Sequence, residues 1–266
     1  MSTTTALAAQ ATAFKSLHVP GKPLLLANVF DSTSARIVAS LPGCKALASA
    51  SWALAKTVGT DDDKLTLEQN LSLLPPIAAV AREFNLPLTV DIQDGYGDKL
   101  EEVVRRVILE VGAVGVNLED SYHETETMMG EEEAVERIKR VLAVAKELGV
   151  HDFVVNARAD SFLTGEDIDE SIRRGRLYLE AGATTIYVFW PRTREMLVED
   201  VKKVIDGLDG KANIQPRKAS QVQGKELTSG DIARLGAARV SIGPQLYLAA
   251  VQAIKTRASE ILNVEA

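Results

Sequence analysis

The chain has 266 residues, 46% of them hydrophobic and 25% charged, and a formal net charge of -7 at pH 7. That composition is globular and long enough to bury a core without staples, which excludes a disordered, collagen-like or disulfide-framework protein. There is no dense Lys/Arg cluster to form a nucleic-acid face and no apolar run of the roughly 18 residues a membrane span needs. The single cysteine, Cys44, points to a reducing compartment, read as the cytoplasm.

The first segment, MSTTTALAAQATAFKSLH, lacks the basic start and long apolar core of a secretory signal. Residues 6–17 are read as a short helix that belongs to the fold. Eight apolar runs follow in chain order: LLLAN (24–28), ALASA (46–50), LPLTVDI (86–92), AVGVNL (113–118), FVVNA (153–157), TTIYVF (184–189), KANI (211–214) and RVSIG (239–243). Each is nearly continuous in apolar or small residues, as strands buried on both faces are.

Amphipathic segments separate the runs. The first, 66–83, opens with the capping-box pair Thr66 and Gln69. Segments 100–111, 131–148, 166–180 and 193–205 follow, then a short one at 231–235 and a last one at 245–261. Gly149, Gly182 and Gly207 stand where helices should stop. Strands alternating with helices predict a parallel sheet, and eight units in about 250 residues predict a (β/α)8 barrel. No linker interrupts the pattern, so residues 1–266 are read as one domain. A doubly wound sheet is the alternative, but the loop after the first strand, NVFDSTSAR, carries no G-x-G-x-x-G.

Barrel chemistry sits at the C-terminal ends of the strands. Asp31 follows the first strand. Ser51 and Trp52 follow the second, with Asp61, Asp62 and Asp63 on the next loop. Asp91, Gln93 and Asp94 follow the third, and Glu119, Asp120 and Ser121 the fourth. Asn156, Arg158 and Asp160 end the fifth, Trp190, Pro191 and Arg192 the sixth, and Asn213, Gln215 and Arg217 the seventh. Carboxylates from neighbouring strands thus face a cationic arm. Oxygen donors without Cys or His suit Mg²⁺ or Mn²⁺ rather than zinc. A guanidinium opposite such a metal grips a carboxylate or phosphate.

Each residue also has a plain structural reading. Asp31, Asp62 and Asp120 can serve as helix N-caps. Arg158 can sit in an internal ion pair. Trp52 and Trp190 wall a pocket or simply pack, and Cys44 is read as structural. Asp91 and Glu119 end buried strands, where an idle carboxylate is costly, so both are read as functional. Of the histidines, His18 lies in the entry loop and His151 at the opposite end of the barrel. Only His123, four residues past Glu119, is placed to reach the site.

Taken together, LLLANVFDSTSAR, ALASASWALAKTVGTDD, TVDIQDGYG, VNLEDS, VVNARAD and LGAARVSIG resemble the isocitrate lyase/phosphoenolpyruvate mutase superfamily, from about Phe14 to Ile261. The resemblance implies a (β/α)8 barrel, a homo-oligomer (dimer or tetramer) whose last helix is swapped between subunits, and a Mg²⁺ ion beside a small carboxylate. It implies that Asp91 binds the metal directly. Glu119 holds it through water, Gln93 stands where the family often has a second Asp, and Asp62 (or Asp61) is the loop acid. It implies that Ser51, with the backbone of Trp52 and Ala53, receives the substrate's carboxylate and oxo oxygens, while Arg158 contacts the carboxylate. Asn213, at a strand end, is grouped with these substrate-binding residues.

Two family features are missing. Residues 121–130 replace the K-[KR]-C-G-H gating loop of the isocitrate and methylisocitrate lyases, and the mutase's Lys/Asn loop is also absent. The segment 121–130 is read as a lid, with Tyr122, His123 and Glu124 as replacements for the absent general acid. The resulting expectation is a Mg²⁺-dependent lyase or decarboxylase that cleaves a C–C bond in a small 2-oxo or 2-hydroxy (di)carboxylate through an enolate. The alternatives are P–C chemistry on a phosphonate, with Lys56 and Arg192 at the phosphonyl end, and a non-catalytic metabolite-binding barrel.

Overall fold

The computed structural model describes residues 3–125, 127–191, 195–217 and 227–264. The strands are β1 (Leu24–Leu26), β2 (Asn28–Val29), β3 (Leu47–Ser49), β4 (Leu88–Asp91), β5 (Gly115–Glu119), β6 (Ser121–Tyr122), β7 (Thr127–Met128), β8 (Val154–Ala159), β9 (Thr185–Val188), β10 (Ala212–Ile214) and β11 (Arg239–Ser241). All but β6 and β7 join one parallel sheet in the order β1-β11-β10-β9-β8-β5-β4-β3-β2. The first predicted strand is therefore two strands. β1 pairs with β11 and β2 with β3, and they part at Ala27. Because β1 and β2 are consecutive, the sheet closes into the expected barrel. Strands β6 and β7 form a small antiparallel hairpin inside the predicted lid.

The helices are α1 (Thr3–Ser16), α2 (Ser32–Ala39), α3 (Ser51–Thr57), α4 (Leu67–Glu83), α5 (Leu100–Arg106), α6 (Glu131–Glu147), α7 (Ile168–Glu180), α8 (Val198–Gly207), α9 (Ser229–Leu235) and α10 (Gln245–Leu262). Thr66 and Gln69 form the expected capping box on α4. α5 runs on into a π-helical turn at Val107–Val111, ended by left-handed Gly112. Gly149 and Gly182 close α6 and α7 with positive φ. Gly207 does not stop its helix. It is the last residue of α8, and a Cβ there would lie 2.7 Å from Ile172, so close packing of α8 on α7 requires it. No described helix is long and apolar enough to cross a membrane.

α1 covers the barrel at the N-terminal ends of the strands. Phe14 is fully buried against Gly115, where a Cβ would sit 3.0 Å from the Phe14 ring and 2.9 Å from the Val154 carbonyl. α10 behaves oppositely. None of its residues is buried, and Ile254, Ile261 and Leu262 are each more than 60% exposed.

Between floor and mouth the barrel interior is polar. Asn156 donates to Asn117 Oδ1 (2.9 Å), Thr185 to Asn156 Oδ1 (2.6 Å) and Asn213 to Ser241 Oγ (2.9 Å). Arg239, wholly buried, donates to Asn117 Oδ1 (3.2 Å), and burial depresses its guanidinium to about 9. On the floor, His18 donates from Nδ1 to the Phe14 carbonyl (3.0 Å) and packs edge-on against the Phe14 ring. Burial, then the charge of Arg239, lowers its pKa to about 3. The unfolded chain therefore binds a proton at His18 from about pH 6.5 downward while the folded chain does not, which removes stability as pH falls, approaching about 1.4 kcal/mol per unit. Between pH 7.5 and 5.5, urea unfolding is expected to show the wild type losing about 1 kcal/mol more than His18→Gln. Equal losses in the two proteins would contradict a buried neutral His18.

Candidate active site

The site grows from the end of β4. The Asp91 carboxylate is fixed by two backbone N–H groups, from Ser51 to Oδ2 (3.0 Å) and from Gln93 to Oδ1 (3.2 Å). Its own N–H donates to Ser49 Oγ (2.9 Å). The turn that follows holds Gln93, Gly95, Tyr96 and Gly97 all at positive φ. Gly95 is required twice over, because a Cβ would also collide with Leu100. Gln93 and Tyr96 carry strain that the surroundings hold in place, a pattern concentrated at functional sites. Asn70 Nδ2 donates to the Tyr96 hydroxyl (2.7 Å) and the Asp91 carbonyl (2.9 Å), and Arg137 donates to the carbonyls of Asp94 and Gly97.

Gln93 turns its amide to the neighbouring loop. Its Nε2 donates to the carbonyl (2.6 Å) and carboxylate (3.0 Å) of Asp62. Burial, and then the charge of Asp91, hold the Asp62 carboxyl above the usual carboxylate range. Asp61 is instead exposed, paired with Lys56 (2.5 Å) and Lys64 (3.2 Å). Of the two acids the sequence left open in this loop, Asp62 is thus the inward one.

Glu119, at the end of β5, is 3% exposed at its side chain. Its Oε1 accepts from Arg158 Nη1 (2.7 Å), and its Oε2 lies 2.9 Å from His123 Nε2. Burial raises its pKa despite both partners. His123 is drawn the other way. Burial opposes its charge, but the hydrogen bond and charge of Glu119 prevail and push it up to about 9. Its Nδ1 lies 3.4 Å from Gln93 Nε2. Arg158 also donates from Nε to Asp160 (2.6 Å) and stacks over the Phe189 ring, 4.1 Å from its centroid.

Asp62, Asp91, Glu119, Ser51, Trp52 and Arg158 line a cavity of about 1040 Å³ at the barrel mouth. Ala53, Gln93, His123 and Asn213 do not line it. Gln93 and His123 stand behind Asp62 and Glu119, and Asn213 lies deeper, on Ser241. Tyr122 turns its hydroxyl to Glu133 (2.5 Å), away from Glu119. Asp31 is an N-cap, with Ser34 completing a capping box. Asp120 is structural: it accepts from the Tyr178 hydroxyl (2.5 Å), the Asp160 N–H (2.8 Å) and Arg174 (3.3 Å). Arg192 lies outside the described residues. The reading of strand ends did not single out Tyr187 and Phe189, which line the cavity from within β9 and just after it. Their signal was polar and aromatic residues at every second position of an otherwise apolar run.

Among the described residues, no three His, Cys, Asp or Glu side chains converge to enclose a metal by themselves. Mg²⁺ does not need such a cage, since it keeps several waters and takes one or two carboxylates directly. Asp62 and Asp91 both open onto the cavity, close enough for the charge of one to raise the other. That donor pair fits Mg²⁺ or Mn²⁺.

Residues 14–262 match the family model described as phosphoenolpyruvate phosphomutase. The chain is 29% identical over 192 residues to 2-methylisocitrate lyase of Escherichia coli, covering 65% of this chain and 62% of that one. It is 28% identical over 206 residues to phosphonopyruvate hydrolase of a Variovorax species, covering 73% and 67%. A crystal structure from Burkholderia cenocepacia, provisionally assigned as a phosphonomutase, superposes with a TM-score of 0.80 at 32% identity, covering 97% and 99%.

Proposed function

Because the chain belongs to the phosphoenolpyruvate phosphomutase family, we propose that it is a Mg²⁺- or Mn²⁺-dependent enzyme cleaving a C–C bond in a small 2-oxo or 2-hydroxy carboxylate. The observation that carries this reading is the shared wall of Asp62, Asp91, Glu119, Ser51 and Arg158 around one cavity. Asp91 and Asp62 would hold the ion, with Glu119 on the same cavity wall. The ion supplies Lewis-acid stabilisation of the charge that develops on the 2-oxo oxygen. Arg158, oriented by Glu119 and Asp160, presents its remaining N–H groups to the substrate's carboxylate. Ser51 and Trp52, at the start of α3, line the same cavity beside Asp91 and face the same carboxylate. His123 fixes Glu119.

C–C rather than P–C cleavage is favoured by the fate of Lys56. It pairs with Asp61 and lies over the Trp52 ring (5.5 Å) instead of lining the cavity. The bare α10 supports a homo-oligomer in which this helix is covered by, and exchanged with, a neighbouring subunit.

The test is release of a 2-oxo acid from oxaloacetate and alkylmalates, with Mg²⁺ and with chelator. Metal-dependent turnover is expected, and turnover confined to phosphonates would contradict the reading. Since His123 touches a metal-facing acid and Tyr122 does not, His123→Ala is expected to slow turnover about 10–100-fold. Tyr122→Phe should leave it within about twofold, and equal effects of the two substitutions would remove His123 from the site.

A further inference from the structure

Asn117 forms part of the base of the cavity. In the sheet it stands between Asp91 of β4 and Asn156 of β8, in register with both. It lies two residues before Glu119 and so shares the inward face of β5. It is the one residue of β5 that is not buried, and it lines the cavity together with Asp91 and Glu119.

Its amide is aimed by Arg239. Three strands separate β11 from β5 in either direction around the closed sheet, counting β1 and β2 as one, so Arg239 reaches across the barrel interior. A guanidinium carries only donors, and Arg239 Nη2 meets Asn117 Oδ1 at 3.2 Å. Its Nε and Nη1 are buried without a partner among the described residues, so this amide oxygen is the acceptor that Arg239 has. A group that can only donate fixes which end of the amide it meets. With the Asn117 oxygen turned to Arg239, Asn156 donates to that same oxygen (2.9 Å) and Thr185 donates to the Asn156 oxygen (2.6 Å). Turning either amide over would set donor against donor or acceptor against acceptor. Asn117 Nδ2 is left pointing away from both partners, and no described group takes its hydrogen bond. Asn28, the other asparagine of the lining, is by contrast used at both ends. It donates to the Ser49 carbonyl (2.8 Å) and accepts from the N–H groups of Ile242 and Gly243 (3.0 Å each).

Arg239 also strengthens the free donor. A buried cation on the amide oxygen draws electron density from the nitrogen, and bonds in such a chain polarise one another away from water. The N–H end is thereby suited to an oxygen that carries negative charge, where hydrogen bonds are shorter and stronger than between neutral groups. We propose that Asn117 contacts the substrate, its Nδ2 donating to a negatively charged ligand oxygen at the base of the cavity beside Asp91. Arg239 is the positioning residue behind it. The inference rests on the proposed function, which puts a metal-held 2-oxo acid at Asp91.

Asn117→Asp is the decisive variant, because it keeps the acceptor that Arg239 and Asn156 require and replaces the donor with an acceptor. Calorimetry with Mg²⁺ is expected to show this variant binding oxalate about 10–100-fold more weakly than the wild type. Its thermal midpoint should hold or rise, since Arg239 gains a carboxylate. Mn²⁺ binding without oxalate, followed by electron paramagnetic resonance, should be at least as tight as in the wild type, since negative charge is added beside Asp91. The neutral variant Asn117→Thr also lacks the donor and should bind oxalate about tenfold more weakly. Three results would overturn the proposal. They are oxalate affinity in Asn117→Asp close to that of the wild type, an equal loss of Mn²⁺ affinity, and a loss seen in Asn117→Asp but not in Asn117→Thr, which is charge repulsion alone. Failure of the wild type to bind oxalate with Mg²⁺ would instead overturn the underlying reading of the Asp91 end.

Discussion

Asp91→Asn is expected to lower kcat/KM roughly a thousandfold and to abolish Mg²⁺-dependent binding of oxalate, with the fold intact. Asp91 is held by the N–H groups of Ser51 and Gln93. An asparagine can keep one carbonyl-type acceptor in that place but not the charge. It also removes a negative charge that sits beside buried Asp62 and raises its pKa. Thermal stability should therefore hold or rise while function is lost. This opposition separates a residue kept for chemistry from one kept for packing. Steady-state kinetics and thermal unfolding on the same preparation check it, and a variant within tenfold of wild-type activity would remove Asp91 from the centre of the mechanism.

Asp120→Ala, one residue from Glu119, is expected to do the reverse. Its carboxylate is 3% exposed and answers three donors at once: the Tyr178 hydroxyl, Arg174 and the Asp160 N–H. Truncation leaves a largely buried guanidinium, a phenol and an amide without that partner. Breaking a buried charge network in this way costs about 3–5 kcal/mol. Urea unfolding should show the midpoint falling by that amount at an unchanged slope. Oxalate affinity of the protein that remains folded should be retained. A loss below about 1 kcal/mol would show that water replaces the carboxylate.

The contrast between Glu119 and Asp120 bears on what the sequence can reveal. Strand positions were legible because a strand buried on both faces must be apolar nearly throughout, and all eight runs became strands of the barrel. The break at Ala27 was not legible, since LLLAN carries no Gly or Pro to mark it. Nor was the role of Gly207, because a glycine at a helix end reads as a stop whether backbone conformation or close packing requires it. That acids cluster at strand ends was legible. Which acid turns inward was not: lysines at 56 and 64 draw Asp61 to the surface, while Gln93 holds Asp62. His123 was reachable from its spacing to Glu119, but that it stands behind the acid rather than in the cavity depends on the hairpin of β6 and β7. Of the polar belt, Asn156 was named at its strand end, but Asn117, Thr185 and Arg239 were hidden inside runs that look apolar. They show themselves only when alternate residues are assigned to the barrel interior.

In the proposed function, Asp91 and its neighbours hold a divalent ion against a 2-oxo acid. The most direct test is calorimetric titration of the wild-type protein with oxalate, a mimic of the pyruvate enolate, in the presence of Mg²⁺ and again with chelator. The expected result is tight, stoichiometric binding with Mg²⁺ and none without it. Binding of equal strength under both conditions, or under neither, would contradict it.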